Sequence, residues 1–149
     1  AGYGRYEISN YAKNGYECRH NIGYWKRAEY IGIGLGAASL YDNVRYKNIT
    51  DIDKFIKNWT MSNPISEYES KESLSDDEAM AEFMILGLRM NEGVSADEFH
   101  NIFGRSLGDV YKENIHELIQ QGLIVNEGGR IRPTSNGLEL QNIIAGKFI

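Results

Sequence analysis

One cysteine occurs in the 149 residues, and it lies two positions before a histidine: Cys18 and His20. A thiolate and an imidazole are both common metal ligands, so their spacing raises the question of a zinc site. A structural zinc site needs four ligands, and no second pair of cysteine or histidine residues has a suitable spacing. Zinc is therefore not expected, and a single cysteine forms no internal disulfide bond.

The motif H-N-x-x-Y-W, residues 20–25, places an imidazole and a side-chain amide next to two adjacent aromatic rings. Adjacent large aromatic residues most often pack in a core. The periodicity of this stretch does not decide between core packing and a ligand site. The other two histidines, His100 and His116, lie in acidic amphipathic segments, where partly solvated surface positions are expected.

The elements that must position these residues are less regular in the first half of the chain. Residues 5–12 alternate loosely and contain Tyr and Ile, which predicts a short strand. Residues 30–40 are apolar and uncharged, which predicts a strand buried on both faces, with glycines where a ligand or another backbone comes close. A further strand is predicted over 44–49, a helix over 52–59 and a polar linker over 60–73.

The second half of the chain contains clearer signals for helix ends. Ser75 and Ser95 each precede an acidic residue by three positions, which is the pattern of a capping box. The predicted elements are a helix to about residue 90, a short helix that Gly104 ends, a helix over 107–121, a hairpin turning at Gly128-Gly129, and a last helix beginning near Thr134. This order is typical of a winged-helix domain.

The charge distribution argues against nucleic-acid binding. Residues 1–63 carry 9 Lys or Arg against 6 Asp or Glu, whereas residues 64–149 carry 7 against 15. The helix over 107–121 would be the recognition helix, yet its polar positions are net acidic and cannot neutralise phosphates.

The single cysteine predicts a cytoplasmic setting. No apolar run reaches the roughly 20 residues of a membrane-spanning helix, and no signal peptide is predicted.

Several motifs occur here in the order and spacing of a known family. They are YEISNYA at 6–12, H-N-x-x-Y-W at 20–25, IGIGLGAAS at 31–39, FMILGLRM at 83–90 and EGV at 92–94. Over essentially its whole length the sequence resembles the carboxy-terminal half of the oxygen-independent coproporphyrinogen III oxidase-like radical S-adenosylmethionine family. H-N-x-x-Y-W is the most specific motif, and it indicates the heme chaperone branch rather than the true oxidase.

The resemblance implies an α+β fold in two parts. Residues 1–63 would be the last strands of a radical S-adenosylmethionine β/α barrel with the H-N-x-x-Y-W loop, and residues 64–149 a winged-helix-like domain. The implied function of the full-length protein is heme binding and heme trafficking. The partners would be heme or another porphyrin, the missing amino-terminal half of the barrel and a heme-accepting protein.

The resemblance also implies which residues contact the heme. His20 would ligate the iron, since imidazole is a standard axial ligand. Tyr24 and Trp25 would offer flat apolar surface beside the porphyrin, and Asn21 would orient the loop or bind a propionate. Three nearby cations are candidates for pairing with the propionates: Arg19, Lys26 and Arg27.

Two further positions are implied contacts of S-adenosylmethionine: Ala12 and Ile85. The family's 4Fe–4S cluster needs three cysteines in the pattern C-x-x-x-C-x-x-C, and this chain has only Cys18. Where relatives usually carry a histidine before Ser39, the sequence has alanine. The chain is therefore expected to be inactive alone, and whether the full-length protein is an enzyme stays open.

Two alternatives remain at this point. The full-length protein could be a true oxidase that decarboxylates coproporphyrinogen oxidatively, although H-N-x-x-Y-W argues against it. The winged helix could instead be an interaction or nucleic-acid-binding module, which its acidic charge disfavours. Without barrel neighbours, the strands at 5–12 and 30–40 would expose unpaired edges, which predicts a homodimer of this chain.

Overall fold

The computed structural model describes residues 2–60 and 68–149, and it shows a mixed helix and sheet fold. The chain divides into two compact units. Unit 1 is Ala1–Arg27 with Asp76–Ile149, and unit 2 is Ala28–Ser75. None of the helices in the described ranges is long and apolar enough to cross a membrane. The domain boundary between residues 63 and 64 stays a prediction, because domains and compact units need not coincide.

Helices and strands are interspersed along the chain. The helices are α1 Arg19–Trp25, α2 Ile52–Thr60, α3 Asp76–Gly87, α4 Ala96–Phe103, α5 Leu107–Val110, α6 Lys112–Gln120, α7 Ser135–Glu139 and α8 Gln141–Ala145. The strands are β1 Gly4–Arg5, β2 Tyr11–Ala12, β3 Ala38–Tyr41, β4 Val44–Asn48, β5 Tyr68–Ser73, β6 Val94–Ser95, β7 Ile124–Glu127 and β8 Arg130–Pro133.

Unit 1 contains the apolar core of the molecule. A three-stranded antiparallel sheet, in the order β6-β8-β7, packs with α3, α4, α6 and α7, and α8 packs against α3. The fully enclosed side chains of this core include Met80, Met84, Leu88, Phe99, Leu118 and Ile144. Apolar residues at helical spacing form the core because each helix buries one face against the sheet or another helix.

The predicted helix ends in unit 1 are largely confirmed. The Ser95 hydroxyl accepts a hydrogen bond from the Glu98 N–H, and Gly104 ends α4 in the left-handed conformation with φ 66°. The Thr134 hydroxyl caps α7 by accepting from the Gly137 N–H at 3.0 Å. The hairpin β7–β8 turns at Gly128-Gly129 as predicted.

Three predicted helices of unit 1 differ from the structure. The last helix, predicted to begin near Thr134, is divided into α7 and α8, because Leu140 has the non-helical angles φ −111° and ψ 37°. The helix predicted over 107–121 is divided into α5 and α6, because Tyr111 has the non-helical angles φ −120° and ψ 24°. The helix predicted to reach residue 90 ends at Gly87. There the Arg89 N–H binds the Leu86 carbonyl and the Met90 N–H binds the Gly87 carbonyl, so the chain tightens into a turn toward β6.

Unit 2 is a three-stranded antiparallel sheet, β3-β4-β5, with helix α2. The predicted strand over 44–49 and helix over 52–59 are confirmed as β4 and α2, and the Asp51 carboxylate caps α2 by accepting from the Lys54 N–H at 3.0 Å. The linker predicted over 60–73 is wrong at residues 68–73, which pair with β4 as strand β5. Its residues 61–67 lie outside the described ranges.

Two predicted strands are wrong. Over 5–12 the chain forms the short antiparallel pair β1 and β2, because a turn closes between them with the Tyr6 N–H bonded to the Asn10 carbonyl. Over 30–40 only β3 is a strand. Gly34 and Gly36 have φ of 107° and 67°, which no extended strand adopts, and Ile33 is 89% exposed rather than buried.

Candidate functional site

The motif residues 20–25 lie on helix α1 rather than on the predicted loop. The helix begins after Cys18, whose carbonyl accepts from the Ile22 N–H at 3.0 Å. It ends at Trp25, and Arg27 then adopts a left-handed φ of 53°. Positions four apart share a face of a helix, so the spacing of the motif brings His20 and Tyr24 together.

His20 and Tyr24 form an aromatic pair on the exposed face of α1. Their ring centroids lie 4.8 Å apart and the planes meet at 80°, so the rings are arranged edge to face. Both side chains are exposed. Across residues 2–60 and 68–149, neither ring nitrogen of His20 has a hydrogen-bond partner. An accessible imidazole with a free nitrogen fits the role of an axial ligand to heme iron.

Trp25 lies on another side of α1 and packs into unit 1. The guanidinium carbon of Arg89 lies 4.9 Å from the centroid of the indole ring, which is a cation–π contact. The indole nitrogen is buried and has no hydrogen-bond partner within the described chain. The structure thus separates Trp25 from the exposed His20 and Tyr24 rings.

The three cations near the motif differ in their pairing. Lys26 lies 3.5 Å from the Glu92 carboxylate. Arg27 lies 3.0 Å from the Glu82 carboxylate, with both side chains largely buried. Arg19 is exposed and, among the described residues, has no ion pair. Of the three cations, Arg19 is therefore the one most available to a carboxylate ligand.

The remaining residues implied by the resemblance lie on three elements. Asn21 is half-buried on α1, and Ala12 is half-buried at the end of β2, opposite Gly4. Ile85 lies on α3 and packs against the core. Helix α1 packs against α3, so the motif and Ile85 lie on neighbouring helices. Neither Ala12 nor Ile85 carries a polar side-chain group, which fits apolar or backbone contact with a cofactor.

The residues present do not fit a 4Fe–4S cluster. Three thiolates are required, and Cys18 is the single cysteine of the sequence. Cys18 is exposed and free. Among the described residues no group of three or more His, Cys, Asp or Glu side chains could hold a metal ion.

The sequence analysis missed a buried polar cluster near the motif. Glu7 is fully buried, with one carboxylate oxygen accepting from the Ser9 N–H at 3.1 Å and the other without a partner in the described ranges. The Ile8 N–H donates to the Arg89 carbonyl at 2.9 Å, which holds the turn between β1 and β2 beside Arg89. The only sequence signal for this cluster was the loose alternation of polar and apolar residues in YEIS, and that pattern did not indicate that Glu7 faces inward.

Comparisons with known proteins agree with these motifs. The family model "HemN C-terminal domain" matches residues 74–140. The chain is 40% identical over 148 residues to the heme chaperone HemW of Lactococcus lactis and 33% identical over 148 residues to that of Bacillus subtilis. Each alignment covers 99% of this chain and 38% of the relative.

A solved structure shares the fold. It is described as "Coproporphyrinogen III oxidase (HemN) from Escherichia coli is a Radical SAM enzyme", with a TM-score of 0.71 and 16% identity. The match covers 99% of this chain and 37% of that one. The chain spans about 38% of the length of the curated relatives that it matches. It belongs to the oxygen-independent coproporphyrinogen III oxidase-like radical S-adenosylmethionine family, of which it represents the carboxy-terminal part.

Proposed function

We propose that the whole protein is a radical S-adenosylmethionine heme chaperone and that helix α1 of this chain holds the heme. The observation that carries the proposal is the exposed His20 imidazole, fixed edge to face against Tyr24 at 4.8 Å, with both nitrogens free of hydrogen bonds in the described chain. The names of the curated relatives, heme chaperone HemW, support the same assignment.

Each residue of α1 has a separate task in this proposal. The His20 imidazole would ligate the iron, and Tyr24 restricts the rotation of the imidazole and would offer its exposed ring beside the porphyrin. Arg19, exposed and without an ion pair in the described ranges, binds a propionate carboxylate. Asn21 and Trp25 support the helix from its half-buried side. Heme, when bound, would supply an iron that accepts a nitrogen ligand.

The cofactors of the radical reaction belong to the whole protein. Ala12 and Ile85 would touch S-adenosylmethionine through backbone or apolar contacts. The cluster thiolates are absent from this sequence, so no radical step is assigned to its residues. We also propose that residues 1–63 complete a β/α barrel, that 64–149 form a winged-helix-like domain, and that the protein acts in the cytoplasm and passes heme to an acceptor protein.

A hemin titration of the chain tests the heme site. Wild type is expected to give a shifted Soret band that saturates at one heme per binding site. His20→Ala is expected to lose the spectrum of imidazole ligation and to bind at least about tenfold more weakly. His100→Ala is the matched control, because His100 is another exposed histidine on a helix of unit 1. Identical spectra for wild type and His20→Ala would reject His20 as the ligand.

The oxidase alternative rests on the HemN-like fold, which at 16% identity says nothing about activity. The nucleic-acid alternative is weakened by α6, where Glu117 pairs with Lys147 and no basic stripe results. The predicted homodimer stays a proposal, now attached to exposed apolar residues such as Ile31 and Ile33 rather than to strand edges. Light scattering of a dilute sample that shows only monomer would reject it.

A further inference from the structure

A cavity of about 240 Å³ lies within unit 1, beside the end of α1. Apolar side chains form most of its wall: Trp25, Phe83, Met90, Val94 and Ile102. Two glycines, Gly87 and Gly93, also line it, at positions where a Cβ would clash with neighbouring atoms. Two charged residues, Lys26 and Glu98, complete the wall. The volume is too small for a porphyrin and suits one apolar side chain or one aromatic ring.

The two charged residues of the lining, Lys26 and Glu98, are opposite in sign. Lys26 pairs with Glu92 at 3.5 Å, but Glu92 also pairs with Arg130 at 3.2 Å. Glu92 therefore keeps a cation when the Lys26 ammonium turns to another carboxylate. Glu98 uses its backbone N–H to bind the Ser95 hydroxyl, and in the described chain its carboxylate has no ion pair.

We propose that this cavity binds a free α-amino acid with a large apolar side chain, such as leucine or methionine. The side chain fills the apolar volume beside Trp25 and Phe83, the carboxylate binds Lys26 and the ammonium group binds Glu98. A zwitterion satisfies both charges at once, whereas an apolar ligand without charges leaves them unused. The site is separate from the exposed His20 face, and the proposal does not depend on heme binding.

The fluorescence of Trp25 can report ligand binding at this site. The chain has two tryptophans, and the other one, Trp59, lies in unit 2 and is 67% exposed. The variant Trp59→Phe leaves Trp25 as the only indole. A titration of this variant with L-leucine or L-methionine, without heme, is expected to change the Trp25 emission saturably and to raise the melting temperature.

Ligands that lack one charge test the two polar contacts. N-acetyl-L-leucine lacks the ammonium group, and L-leucinamide lacks the carboxylate. Each is expected to bind about tenfold more weakly than L-leucine, which is the effect of one lost charge-assisted hydrogen bond. Glycine, which has no apolar side chain, is expected not to bind.

Two variants assign the charges to their partners. Glu98→Gln is expected to remove the preference for L-leucine over N-acetyl-L-leucine, and Lys26→Gln the preference over L-leucinamide. Lys112→Gln is the control, because this exposed lysine lies on α6, away from the lining. Equal binding of the charged and charge-deleted ligands would overturn the proposal. So would the absence of any saturable change in both Trp25 emission and melting temperature.

Discussion

Unit 1 and unit 2 are held together by different interactions. In unit 1 a continuous apolar core extends from Met80 in α3 to Phe148 near the end of the chain. Among the described residues of unit 2, only Ser39 and Leu40 are buried, and every residue of strand β5 is exposed. The comparison shows that a regular sheet can form with almost no core when its backbone groups are paired.

Polar side chains replace the missing core of unit 2. The Asn48 amide donates to the Gly34 carbonyl at 2.8 Å, and the Ser39 hydroxyl accepts from the Gly32 N–H at 2.9 Å. Such bonds contribute about 0.5–1.5 kcal/mol each, whereas full burial of a large apolar side chain contributes about 1.5–3 kcal/mol. We therefore expect unit 1 to be the more stable unit.

Replacement of Phe99 with alanine is the strongest test of the core. Phe99 is fully buried, and its ring meets those of Phe83 at 5.6 Å and Phe103 at 4.8 Å. Phe99→Ala removes these contacts and leaves a cavity, so the free energy of unfolding is expected to fall by about 3–5 kcal/mol. Urea unfolding followed by circular dichroism measures this change.

The matched control for Phe99→Ala is on the same helix. Ile102 is 58% exposed. Ile102→Ala is expected to change the free energy of unfolding by less than about 0.5 kcal/mol. A similar loss of unfolding free energy in both variants would show that the burial of a side chain in unit 1 does not determine its contribution to stability. That result would contradict the idea that the apolar core makes unit 1 the more stable unit.

A single amide tests the polar framework of unit 2. Asn48→Ala removes the hydrogen bond to Gly34 and a longer one to the Gly32 carbonyl at 3.4 Å. The expected loss is about 1–2 kcal/mol, and it should be confined to unit 2. Amide hydrogen exchange is the measurement, with exchange within residues 28–60 about 5- to 30-fold faster.

Lys57→Ala is the control for Asn48→Ala, since Lys57 is exposed on α2. It is expected to leave the exchange rates unchanged. Faster exchange throughout unit 1 in Asn48→Ala would contradict the idea that the two units are stabilised independently.

The same contrast explains what the sequence could predict. In unit 1 the cap at Ser95, the left-handed Gly104 and the hairpin turn at Gly128-Gly129 are local signals, and the structure agrees with each. In unit 2 the apolar, uncharged sequence of residues 30–40 predicted a buried strand. Its conformation depends instead on Asn48, which lies distant in sequence and binds the Gly32 and Gly34 carbonyls.

The candidate site was only partly predictable for a related reason. The motif spacing named His20 and Tyr24, but the helix that pairs them contains Asn21 and Gly23, which are weak helix formers. Packing against α3 and the contact of Trp25 with Arg89, just after the end of α3, accompany this helix and have no local signature in the sequence. The motif therefore indicated a ligand site, but it did not indicate that these residues form a helix.

The smallest predicted effect concerns a polar group at the edge of the aromatic core. Tyr111 is half-buried, and its ring lies 5.0 Å from that of Phe148. Burial raises the pKa of the Tyr111 hydroxyl, the Asp77 carboxylate raises it further, and Arg105 lowers it. A raised pKa means that folding favours the protonated hydroxyl. The contribution of the Tyr111 hydroxyl to the free energy of unfolding is therefore complete below the ordinary pKa of about 10. It is lost as the pH rises through the raised pKa.

Unfolding free energies measured between about pH 9 and 11 test this consequence, since that range spans the ordinary tyrosine pKa. Wild type is expected to lose more stability across the range than Tyr111→Phe, which cannot ionise. The comparison with Tyr111→Phe is required because the chain has nine other tyrosines, which both proteins share. Parallel curves would mean that the core tolerates a tyrosinate at its edge. In unit 2 the exposed Glu69 shows the opposite case, where hydrogen bonds from Thr50 and then Lys47 lower the carboxyl pKa.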